Sequence, residues 1–69
     1  MDWKTELLWL IHQAPWPVVD IATDTEILFT SRGVQNRMDF STDRVILTRI
    51  PDGYVVFNLP KDPSIIPPH

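Results

Sequence analysis

Few side chains in this 69-residue chain have the type and spacing that chemistry needs. There is no cysteine, so no thiolate nucleophile and no disulfide. The two histidines, His12 and His69, stand 57 residues apart without thiolate or paired-carboxylate companions, a poor set for zinc. Ser31, Ser41 and Ser64 all fall in turn-like contexts. The acid pairs Asp24/Glu26 and Asp39/Asp43 flank turns, where carboxylates usually bond the local backbone. Gly33 and Gly53 are too few and too far apart to form a phosphate-cradling loop. The expectation is therefore a protein that is not an enzyme and that carries no cofactor and no metal.

Recognition chemistry is better represented. Trp and Arg are the residue types most enriched at binding hot spots. The chain has three tryptophans and places Arg32, Arg37, Arg44 and Arg49 within residues 32–50. The first 31 residues are acidic and residues 32–50 locally basic, within a net charge of −3. Trp9 falls off the apolar stripe of its segment and so should point outward. Trp16 stands between Pro15 and Pro17, which restrict the backbone around it and lower the entropy it loses on docking. Partner-contacting candidates are Trp9, Arg32, Arg37, Arg44, Ile65 and Ile66. Pro15, Trp16 and Pro17 form a hinge, with Trp16 expected to cover the end of its own sheet.

These residues need elements to hold them. Residues 2–13 read as one helix, with Asp2 as N-cap and Trp3, Leu7, Leu10 and Ile11 at the spacing of a buried stripe. Pro15 ends it. The period then changes to two. Strands are expected over 17–23, 26–31, about 37–40, 45–50 and 54–59, with residues 32–36 as a polar loop. Pro51-Asp52-Gly53 between two runs rich in β-branched and aromatic residues is the strongest hairpin signal. Four prolines after Leu59 exclude a central strand there, so residues 61–69 read as an extended Pro-rich tail on a single domain of residues 1–60. Ile65-Ile66 favour docking of that tail on this protein or on another.

The resulting fold class is α+β: one N-terminal helix packed on a four- to five-stranded antiparallel sheet. A helix followed by about five short strands is also the layout of SH3-like and Sm-like small barrels. "WPVVDI", "RVIL" and "SIIPP" are similar to segments of the bacterial Hfq branch of the Sm-like family. That resemblance implies a curled sheet and an RNA-binding oligomer. Residues 26–44 are longer than the family's second strand and turn, and Asn58-Leu59-Pro60-Lys61-Asp62 replaces its Tyr-Lys-His signature. No binding residue is carried over.

A chain of this length buries only about 60% of its unfolded surface and often gains support from a partner or a second copy. A homodimer or higher homo-oligomer is therefore expected. No apolar run approaches the span of a membrane helix, and no signal sequence opens the chain, which makes the cytoplasm the expected compartment. The functional expectation is a small protein-interaction module, a regulator or inhibitor of the kind phages and mobile elements use to occlude a larger host protein. The alternative is a small oligomeric RNA- or DNA-binding protein of Sm-like or other β-barrel type.

Overall fold

The computed structural model describes all 69 residues. Asp2 caps helix α1 (Trp3–Ile11) by accepting a hydrogen bond from the Thr5 hydroxyl at 2.7 Å and a longer one from the Thr5 amide. These bonds hold the Asp2 carboxyl below the usual carboxylate range. The helix closes at His12, whose amide donates to the Leu8 carbonyl at 3.0 Å, two residues before Ala14-Pro15 forbids continuation. Leu7 and Ile11 are buried from the expected stripe. Trp3 and the flanking Leu8 pack against that core, whereas Leu10, expected in the stripe, does not.

Five strands follow: β1 (Val18–Ala22), β2 (Glu26–Ser31), β3 (Val34–Asp39), β4 (Arg44–Arg49) and β5 (Tyr54–Pro60). They pair antiparallel in sequential order, so β1 and β5 are the two edges of an open sheet. Short connections make neighbour pairing the favoured topology. The barrel that the Sm-like resemblance implied is not formed: β1 pairs with β2 alone and β5 with β4 alone.

Opposed residues in adjacent strands share a face. One row across the sheet is therefore Ala22, Ile27, Met38, Leu47 and Phe57, and the next is Val19, Phe29, Asn36, Arg49 and Tyr54. The first row and its neighbours Phe29, Phe40 and Val45 meet Leu7 and Ile11 of α1 in a single core. The opposite face, with the row Ile21, Leu28, Arg37, Thr48 and Val55, carries no covering element. Asn36 is the one buried polar residue, and its side-chain amide donates to the Val34 carbonyl at 3.0 Å.

Two local outcomes differ from the sequence expectation. Residues 32–36, read as a polar loop or bulged turn, are shorter than that as a connection. The turn is only Arg32-Gly33, both with positive φ (52° and 78°), and Val34 and Gln35 already belong to β3. Two positive φ angles mark the type I′ turn, whose twist matches paired strands. The tail is not simply extended either. Lys61 donates its amide to the Asp43 carbonyl at 2.8 Å, Pro63–Ile65 make one 3-10 turn capped by Asp62, and Ile65 and Ile66 pack against the core.

Candidate recognition site at the helix-to-sheet corner

Arg32 is the only non-glycine residue with positive φ. A left-handed backbone costs an L-residue about 1–2 kcal/mol, and Asn, Asp or Gly usually takes this turn position. The register explains what Arg32 gains there. Val18 opposes Thr30 at the start of the β1–β2 ladder. Two residues further out, Trp16 and Arg32 continue that pairing beyond the last ladder position. The Arg32 guanidinium lies over the Trp16 ring, 4.4 Å from its centroid. Cations stacked on indole at such distances gain about 0.5–1 kcal/mol at exposed sites.

The four arginines are not equivalent. Arg37 pairs with Glu26 at 3.1 Å across the open face. Arg44 bonds the Asn58 side chain and donates to its carbonyl at 3.2 Å. Arg49 bonds both carboxylate oxygens of Asp52 and lies over Tyr54. Arg32 has an aromatic partner and no ion pair or side-chain hydrogen bond. One face of its guanidinium rests on Trp16, while its edge keeps its donors for an incoming acceptor.

Apolar surface surrounds this pair. Trp16 is 50% exposed, Val18 63% and Ile21 53%. Val18 and Ile21 lie on the face away from α1. Between them a bulge at Asp20 interrupts the ladder, and the Thr30 hydroxyl donates to the Asp20 carboxylate at 2.8 Å. Bulges on edge strands re-aim side chains and limit pairing by a foreign strand.

Trp9 lies off the core, as its place beside the helix stripe implied, but Trp16 does not stand where expected. Trp16 does not cover the sheet end; it stands half-exposed beneath Arg32. Trp9 is not bare. The imidazole of His69 stacks on it, with centroids 3.9 Å apart and planes 5° off parallel, and His69 Nε2 lies 2.7 Å from a Glu6 oxygen. Glu6 and Trp9 are one helical turn apart and so present a joint seat for the end of the tail. Ile65 and Ile66, expected to meet a partner, lie against the chain's own core. The structure thus brings Arg32 to the Pro15-Trp16-Pro17 hinge. It leaves Arg37 and Arg44 engaged on the open face, seats Ile65 and Ile66 of the tail on the core, and covers Trp9 with the tail's last residue.

Elsewhere, a shallow pocket of about 290 Å³ is lined by Met1, Asp2, Trp3, Lys4, Asp24, Phe40 and Lys61. Two lysines and two aspartates line it, and Lys4 is 3.9 Å from Asp24. No three His, Asp or Glu side chains converge as a metal cluster would require, and no helix is long and apolar enough to cross a membrane. No family model matches the sequence, and neither a curated protein nor a solved structure matches it.

Proposed function

We propose that this chain is a non-enzymatic protein-interaction module, a small regulator or inhibitor of the phage or mobile-element kind. It would act by occupying the surface of a larger protein through the corner formed by Trp16, Arg32, Val18 and Ile21. The observation that carries this reading is the Trp16–Arg32 stack. Backbone strain is retained at Arg32 to place it on a tryptophan that two prolines hold half in solvent. Strained positions concentrate where function requires them. A rigid aromatic with a free guanidinium edge and apolar neighbours has the composition of a binding hot spot.

The alternative of single-strand nucleic-acid binding needs several aromatic faces beside free cations. Phe29 and Phe40 are buried in the core, Tyr54 has Arg49 over it, and Arg37 and Arg44 hold internal partners. Only the Trp16 corner retains the required combination, and one ring with one arginine makes a short platform.

The deciding experiment is affinity capture from a nuclease-treated cytoplasmic extract with the unmodified chain, Trp16→Ala and Trp9→Ala. A protein retained by the unmodified chain and by Trp9→Ala, but lost with a folded Trp16→Ala, supports the reading. Capture that depends on nucleic acid, or that Trp9→Ala removes and Trp16→Ala does not, refutes it.

A further inference from the structure

Nothing in the chain neutralises Arg32. The ion pairs of the molecule are Lys4–Asp24, Arg37–Glu26, Arg49–Asp52 and His69–Glu6, and none includes it. Asp20, the only acid of β1, already accepts from the Thr30 hydroxyl. The corner therefore holds a cation among apolar neighbours and no counter-charge for it.

The stack on Trp16 decides how a counter-charge can approach. With the indole ring centred 4.4 Å from Arg32 Cζ, one guanidinium face is covered and the N–H donors radiate in its plane. A planar fork of donors matches the two oxygens of a carboxylate. A partner resting on Trp16 and Val18 strips water from that fork. Desolvating a charge without a counter-charge is strongly unfavourable. A backbone carbonyl would satisfy the donors but leave the charge, so the group that fits must itself be anionic.

Phosphate is the other anion of suitable shape. A nucleic-acid strand brings a charge with every nucleotide and needs a row of cations to match. Arg37, Arg44 and Arg49 hold internal partners, and a net charge of −3 opposes a polyanion. One carboxylate needs one cation, which is what the corner offers. The bulge at Asp20 interrupts the β1 ladder, so a partner is engaged here by side chains and not by an added strand.

We propose that the corner recognises an acidic side chain of a partner protein. An Asp or Glu carboxylate forms a two-pronged ion pair with the in-plane edge of Arg32, and an apolar residue next to it rests on Trp16 and Val18. This rests on the reading of the corner as the recognition site and adds the chemistry of the group it takes.

Selection from a library of short random peptides, with the full chain as bait, tests it. Parallel selections use Trp16→Ala and Arg32→Gln; Gln keeps the strained turn but has neither charge nor fork. Peptides that need Trp16 should carry Asp or Glu beside an apolar residue, and Arg32→Gln should not retain them. Replacing that acid by its amide should weaken binding about 10-fold or more, the value of a charge-assisted bond. Arg32→Lys, which keeps the charge without the fork, should fall between the unmodified chain and Arg32→Gln. Peptides that need Trp16 but lack an acid, or that Arg32→Gln still binds, overturn the proposal and leave the recognition reading standing. No peptide that depends on Trp16, or a single-stranded oligonucleotide bound in place of peptides, overturns both. If Arg32→Gln fails to fold, Arg32→Gly, which relieves the turn, takes its place.

Discussion

Arg32 shows how one residue can work against its own backbone. Its φ of 52° costs what a glycine there would save, and the stack on Trp16 returns part of that cost. The two terms are similar in size, about 1–2 kcal/mol against about 0.5–1 kcal/mol. Arg32→Gly should therefore fold with a stability within about 1 kcal/mol of the original, because strain relief offsets the lost stack and the added entropy of the unfolded glycine. The same variant should lose partner capture as Trp16→Ala does. Thermal unfolding and the capture assay read the two effects separately. Extensive unfolding of Arg32→Gly would instead make the stack a structural clamp. The sequence identified Arg32 and Trp16 individually. It gave no sign that they meet, because residues 32–36 resemble a polar loop and only the Val18–Thr30 register brings positions 16 and 32 together.

Among the elements, the β4–β5 hairpin was the most legible. Gly53 takes φ 68° where Pro51-Asp52-Gly53 required a left-handed residue. The local chemistry goes further than the turn. Asp52 accepts from the Arg49 guanidinium and from the Tyr54 amide, closing the turn on itself. Hydrogen bonds from Arg49, then the bond from Tyr54, lower the Asp52 carboxyl from 3.8 to about 2, and the Arg49 guanidinium is raised in turn. A carboxyl depressed in the folded state contributes stability above its unfolded value and loses it as pH falls through the folded value. The hairpin lock should thus be intact above about pH 4 and vanish toward pH 2. Following the Asp52 carboxyl carbon by NMR should give a midpoint near 2. Asp52→Asn should lower the melting temperature at neutral pH, and the difference should shrink as the pH falls toward 2. A midpoint near 3.8 would show the lock open in solution.

β5 also shows what element-level pattern reading misses. Its run of apolar residues looked like an ordinary arm of a hairpin. The bulge at Val56 was not visible, since nothing in "YVVFNLP" indicates which residue its partner skips.

At the level of the molecule, the core is small: seven buried apolar residues from α1, the sheet and the Phe40 corner. The tail supplements it. Ile65 and Ile66 pack on that core, and His69 reaches Glu6 and Trp9 of α1, so the two ends of the chain are joined across the fold. Each isoleucine is half-buried, and removing its outer carbons costs transfer free energy of about 0.8 kcal/mol per buried methylene-sized group. Ile65→Ala with Ile66→Ala should destabilise the protein by about 2 kcal/mol, a large share of the stability of so small a domain. Urea unfolding should show a lower midpoint with an unchanged slope. No change in midpoint would mean that the tail is not seated in solution.

What the sequence determined by itself are the properties set by near neighbours. Asp2 and Pro15 bracket the helix, the switch of period from 3.6 to 2 marks the strands, and turn residues separate most of them. With connections this short, sequential antiparallel pairing followed. The tertiary structure decided what depends on register and on which surfaces remain uncovered. Whether the sheet closes depends on accumulated twist and bulges, not on any local run. Trp9 is off the helix stripe in sequence, yet the tail's last residue covers it. Trp16 is held by prolines either way; only the β1–β2 pairing determined that it faces Arg32 and solvent. Exposure is set by the elements a side chain meets, and those lie 16 residues away for Trp16 and 60 for Trp9.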